Sequence, residues 1–246
     1  MEDAASQDVP PAPPPIAAQE LPRFAGQGVI DRLIRGPDAL LSEVDGSGGP
    51  SLLVSLAAIA FVGHLAYGLV VGSFSGGAQW WAAPAKSVVG AALCGAICYP
   101  SLYIFASYSG AEVGARRVTA LVLGLLAMTG VFLTGFAPVS WVFSQSSNYT
   151  SFIGAIHLAV WALSILVGGR VLTSTLQHWN AKGAGLASLW LLILMVTCCQ
   201  MMTTLRPIVG TSPKLLDPEK RFFLQNWFET IDGDAKGKDV VGPQRD

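Results

Sequence analysis

Five long apolar stretches, separated by short polar connections, dominate the chain between residues 51 and 207. A helix rises about 1.5 Å per residue, so about 20 mostly apolar residues cross the roughly 30 Å hydrocarbon core of a bilayer. The stretches of that length are Ser51–Ser73, Ser87–Tyr108, Val118–Phe143, Phe152–Leu176 and Gly185–Leu205. They are continuously apolar, whereas the strands of a membrane barrel alternate. The pattern predicts an all-α fold: a polytopic, five-span transmembrane helix bundle over residues 50–207.

Charged residues avoid these stretches. Of the 15 Lys and Arg residues, only Lys86, Arg170 and Arg206 lie within or beside a span, apart from the Arg116-Arg117 pair before the third. The chain is 52% hydrophobic and 13% charged, against about 25% charged residues in soluble domains. A soluble domain of this length would interrupt its apolar runs with charges far more often.

Three segments lie outside the bundle. Residues 1–23 form an Ala/Pro-rich tail that we expect to be disordered, because it has too little apolar surface to bury. Residues 24–49 form a juxtamembrane segment with apolar residues at helical spacing, and two interpretations stay open: short amphipathic helices on the membrane surface, or a solvated linker. Residues 208–246 form a polar C-terminal tail, in which residues 221–231 can make a short interfacial helix.

The distribution of positive charge predicts the orientation, because Lys and Arg are enriched in cytoplasmic loops. A cytoplasmic N-terminus places most cations near the spans on the inside and leaves Lys86 in the short outer loops. The cations then inside are Arg23, Arg32, Arg35, Arg116, Arg117, Arg170 and Lys182. The near part of the C-terminal tail, with Arg206 and three further cations, argues the other way. The sequence therefore predicts a cytoplasmic N-terminus.

Polar and small residues within the spans indicate which faces lie inside the bundle. Gly68 and Gly72 share a face with His64, at a spacing that allows close helix packing. His64, His157 and Gln200 are candidate binding residues with two interpretations. Either they line a substrate or proton path, since histidine can carry protons near neutral pH, or they are interhelical hydrogen-bond partners.

The outer ends of two spans supply another candidate site. Lys86 opens the second span and Arg206 closes the fifth, so the predicted topology places both at one membrane face. The two cations either bind a lipid phosphate or an acidic partner residue, or act separately as interfacial anchors.

Other chemistry is absent from the sequence. No P-loop, HExxH or GxSxG motif occurs, and no span contains Asp or Glu. The four cysteines, Cys94, Cys98, Cys198 and Cys199, lie inside predicted spans without metal-site spacing, so we interpret them as small packing residues. The sequence therefore predicts no enzyme activity, no metal or cofactor, and no nucleic-acid partner.

Several local motifs resemble a set of bacterial five-span membrane proteins. The resemblance covers roughly residues 35–228 and rests on the runs Tyr67–Gly76, Pro84–Lys86, Tyr99–Tyr103, Gln200–Gly210 and Arg221–Phe223. The topology is similar to that of the Yip family, with a cytoplasmic N-terminal segment and then five helices. The resemblance implies this fold and a multi-pass location in the bacterial inner membrane. Because those proteins have no established activity, it supports the fold more than any function.

These observations lead to two functional hypotheses. The first is a non-catalytic scaffold or accessory subunit of a membrane assembly, whose partners are membrane lipids and either other membrane-protein subunits or further copies of itself. The alternative is a small oligomeric transporter or channel-like protein.

Overall fold

A computed structural model describes residues 28–146, 150–182 and 184–204 and shows an all-helical chain without strands in those ranges. The elements are α1 (Val29–Arg35), α2 (Pro37–Ser42), a 3-10 turn (Glu43–Asp45), α3 (Gly49–Ser75), α4 (Gln79–Tyr108), α5 (Ala115–Ser146), α6 (Thr150–His178) and α7 (Ala184–Thr204). The predicted N-terminal tail, the C-terminal tail with its interfacial helix, and Arg206 lie outside the described residues.

Four of these helices, α3 to α6, are long and apolar enough to cross a membrane. The all-helical prediction is confirmed, together with the multi-pass character that four such helices indicate. The apolar part of α7, Gly185–Met201, is shorter. Because α5 has 32 residues, its length of about 48 Å exceeds the hydrocarbon thickness, so the helix must tilt or extend beyond it.

The second span begins earlier than its sequence pattern suggested. We predicted a connection as far as Lys86, but the turn after α3 is complete at Ala78 and α4 starts at Gln79. Gly76 and Gly77 make this sharp turn with φ angles of 65° and 52°, a region that favours glycine. Pro84 therefore lies inside the helix.

The five long helices form a ring in the order α3, α5, α6, α7, α4, and α4 closes the ring against α3. In addition, α5 contacts α4 across the ring. More than half of the apolar stretch of α5 is buried, a larger share than in the other three long helices. The bundle is therefore organised around α5.

Glycines allow this close packing. A Cβ at Gly63 of α3 would lie 2.5 Å from the backbone of Gly130 on α5, and a Cβ at Gly168 of α6 would lie 2.6 Å from the Thr129 hydroxyl. Such distances are too short for any side chain, so the helices approach backbone to backbone. Small residues stabilise membrane helix pairs in this way, because lipid provides no hydrophobic drive for helix association.

The juxtamembrane segment is packed into one end of the bundle. We call Val29–Asp45 the N-terminal wedge and the bundle end that it occupies the wedge end. Its apolar side chains are fully or almost fully buried: Leu33, Leu40, Leu41 and Val44. The Leu41 side chain reaches the backbone of Gly124, well inside α5. The wedge is therefore helical and forms part of the bundle core.

Polar contacts join the wedge to the ends of α5 and α6. Arg117 pairs with Asp45 at 2.6 Å, and the Trp179 indole donates a hydrogen bond to Ser42 at 3.0 Å. The Arg117 guanidinium also lies 5.3 Å from the Trp179 ring centre, close enough for a cation–π contact. These contacts connect three chain segments at the wedge end.

We predict that Gly63→Ala destabilises the bundle by about 1–3 kcal/mol, because the added methyl group would overlap the Gly130 backbone. Gly135→Ala is the matched control, since a Cβ at Gly135 on the same helix as Gly130 meets nothing within 4 Å. Thermal unfolding in mild detergent measures both. Equal melting temperatures for the two variants would contradict the α3–α5 contact.

Candidate functional site

The structure distributes the predicted site residues over different helices. His64 on α3, Lys86 on α4 and His157 on α6 are all buried, and Gln200 on α7 is half-buried. The fifth predicted residue, Arg206, lies outside the described residues. The described site residues therefore do not form one group.

His157 belongs to a buried group of polar side chains between α3, α5 and α6, which we call the Tyr67–His157 cluster. The Tyr67 hydroxyl lies 2.9 Å from His157 Nδ1 and 3.3 Å from Ser140 Oγ. Ser144 Oγ lies 3.3 Å from His157 Nε2. All four side chains are at most 5% exposed, so the cluster is closed to its surroundings.

The directions of these hydrogen bonds follow from one another. Ser144 donates its proton to the Ser140 carbonyl at 2.8 Å, so Ser144 Oγ accepts from His157 Nε2. His157 Nδ1 then accepts from the Tyr67 hydroxyl, and Tyr67 accepts from Ser140. This arrangement requires a neutral imidazole with its proton on Nε2, while a protonated ring would reverse the Tyr67 bond. Every member is satisfied, so the cluster can hold three helices in one register.

His64 bonds within its own helix instead. Its Nδ1 donates to the Ala60 carbonyl at 2.8 Å, and Gly130 of α5 packs against the ring. Gln200 lies on α7, which packs against α4 and α6. The three residues proposed for a path thus belong to three helices, and His157 is the one that lies in the cluster.

Gly68 and Gly72 lie against the first turns of α4. A Cβ at Gly68 would come 2.5 Å from Pro84 Cα, and one at Gly72 would come 2.6 Å from the Gln79 carbonyl oxygen. The face of α3 that carries Gly68 and Gly72 therefore packs against α4 of the same chain.

Lys86 lies near this α3–α4 contact along α4. Helices α3 and α4 are antiparallel, and Gly68 lies opposite Pro84. Lys86 follows Pro84 by two residues and therefore lies at the level of the α3 turn that ends at Tyr67. Its side chain is buried, at 4% exposure. Two turns earlier, Gln79 is also buried, and its Oε1 has no hydrogen-bond partner among the described residues.

A small cleft opens at the wedge end between α4, α6 and α7. Its volume is about 20 Å³, room for about one water molecule. The lining is mostly apolar and includes Leu102, Ala106, Leu176 and Trp190. Within the described ranges, no three His, Cys, Asp or Glu side chains are grouped so that they could hold a metal ion.

Comparisons with protein-family models, with curated proteins and with solved structures find no match to this chain.

Sequence reasoning identified His157 but missed its partners Tyr67, Ser140 and Ser144. A local signal exists, since Ser140 and Ser144 share one face of α5 and Tyr67 shares a face with His64. The sequence could not indicate that these faces meet, because the contact joins helices that are far apart along the chain.

We predict that Tyr67→Phe lowers stability by about 0.6–2 kcal/mol, because His157 Nδ1 loses its donor inside the protein. Tyr108→Phe removes the same hydroxyl at a site that is 82% exposed, so we expect no measurable change there. Melting temperatures in detergent compare the two variants. An unchanged Tyr67→Phe melting temperature would show that the cluster does not stabilise the bundle.

Proposed function

We propose that the chain is a non-catalytic scaffold or accessory subunit of a membrane assembly. In this proposal α7 is the fifth span, and the protein lies in the bacterial inner membrane with the Yip-like topology that its motifs resemble. Its partners are membrane lipids and either further copies of the chain or other membrane-protein subunits.

The observation that carries this proposal is the closure of the bundle interior. Backbone contact at Gly63 and Gly130 closes the α3–α5 interface. Tyr67 and its partners occupy the space between α3, α5 and α6, and the wedge occupies one end. A bundle packed in this way presents a rigid outer surface, which suits binding to other membrane proteins.

The position of the cations supports a cytoplasmic wedge end. The wedge and the adjacent helix ends carry Arg32, Arg35, Arg116, Arg117 and Lys182. Among the described residues, the buried Lys86 is the only Lys or Arg at the opposite end. The positive-inside rule then favours an N-terminus in the cytoplasm. The 21 residues of α7 give a length of about 31 Å, enough for a fifth crossing.

The alternative, a small oligomeric transporter or channel-like protein, is favoured by one observation. The Tyr67–His157 cluster contains a histidine that can change its protonation state, joined to hydroxyl groups that can relay a proton. In such a protein the cluster would form part of a proton path.

Proton flux distinguishes the two functions. We expect vesicles containing the pure chain and a trapped pH dye to acidify no faster than protein-free vesicles under an imposed gradient, because the interior is closed. A faster rate that Tyr67→Phe abolishes and Tyr108→Phe preserves would contradict the scaffold and support the alternative.

Native mass spectrometry of the chain extracted in mild detergent tests the scaffold directly. We expect a second copy or another membrane subunit at a fixed ratio, whereas a similarly prepared, unrelated bundle protein should lack it. A chain that is monomeric and without partners in every extraction would contradict the proposal.

A further inference from the structure

The interface between α4 and α7 brings together cysteines that the sequence keeps far apart. Cys94 and Cys98 lie on α4 and Cys198 on α7, and all three side chains are at most 5% exposed. Cys199 follows on α7 and is half-buried. All four are free thiols. Packing alone does not require sulfur atoms on both sides of one interface.

Hydrogen bonds from Trp190 fix the register of the two helices. Its indole nitrogen donates to the Cys98 carbonyl at 3.2 Å and to Ser101 Oγ at 3.0 Å. The two helices are antiparallel. Cys198 lies about two turns after Trp190 on α7, so the facing position on α4 lies about two turns before Ser101, near Cys94. Cys198 therefore lies at the level of Cys94 in the α4–α7 interface, and both side chains are buried there.

The interface also matters for how α7 is held. On its other side α7 packs less extensively against α6, where Leu191 fills the space at Gly169, and the small cleft lies between α4, α6 and α7. The attachment of α7 to the ring therefore depends mainly on α4. A covalent bond at this interface would fasten the helix that is least integrated into the bundle.

We propose that Cys94 and Cys198 are a reversible disulfide site that links α7 to α4. Each thiol gives up its hydrogen, one S–S bond forms, and two electrons and two protons pass to a membrane-dissolved quinone, which becomes a quinol. The interface borders lipid at Leu93, Ile97 and Val196, whose side chains are exposed. A lipophilic quinone can therefore reach the edge of this interface from within the bilayer, next to the buried thiols.

Competing pairings fit the geometry less well. Cys94 and Cys98 share one helix at a spacing that separates their Cβ atoms by about 5–6 Å, whereas a disulfide holds them about 3.8 Å apart. Cys198 and Cys199 are consecutive helical residues, which point about 100° apart around the axis. The pair across the interface instead joins two residues at one level of facing helices.

Oxidation of the full-length chain in lipid nanodiscs tests this proposal. Decyl-benzoquinone is the oxidant, free thiols are then alkylated, and mass spectrometry maps the peptides. We expect a Cys94–Cys198 disulfide, reversed by dithiothreitol, in the wild-type chain and in the Cys98→Ser/Cys199→Ser variant. Oxidation should also raise the melting temperature of both proteins and leave that of Cys94→Ser unchanged.

No disulfide, or a bond between any other pair of cysteines, would overturn the assignment. The wild-type map decides this even if a variant fails to fold.

Discussion

The close approach of α3 and α5 at Gly63 and Gly130 is the contact on which the rest of the bundle depends. Apolar helices gain no hydrophobic energy from leaving lipid for one another, so they associate through close packing and interhelical hydrogen bonds. Glycine on both helices removes the side chains that would separate the backbones. With α3 and α5 fixed, α6 packs on the other side of α5 at Gly168, and α4 packs on α3 at Gly68 and Gly72.

The two ends of the bundle are then stabilised by different interactions. At the wedge end, leucines of an N-terminal segment fill the core, and Arg117, Asp45 and Trp179 join that segment to α5 and α6. Nearer the opposite end, the Tyr67–His157 cluster joins three helices through hydrogen bonds that leave no member unsatisfied. Interhelical hydrogen bonds in membranes contribute only about 0.6 kcal/mol on average, so the cluster serves mainly to select one register.

The sequence predicted what depends on local pattern. Hydrophobic length located the helices, and helical spacing identified Gly68 and Gly72 as a small-residue face, because both properties can be read from a single segment. The contacts between segments could not be predicted in this way. Nothing local shows that Gly63 meets Gly130 or that Tyr67 meets His157. Lys86 follows a Gly- and Trp-containing stretch that indicated a loop, but the turn closes at Ala78, so Lys86 lies two turns inside α4 and is buried.

The most direct test of this account is a double-mutant cycle between Gly63 and Gly130, measured as the free energy of unfolding in detergent. A Cβ at Gly63 would lie 2.5 Å from the Gly130 backbone, whereas a Cβ at Gly130 would lie 3.4 Å from Gly63 Cα in the same gap, so Gly130→Ala alone should cost little but should change the cost of Gly63→Ala. We therefore expect the loss of stability in the double variant to differ from the sum of the single variants by more than about 0.5 kcal/mol. Additive costs would contradict a shared contact between α3 and α5, and with it the organisation of the bundle around α5.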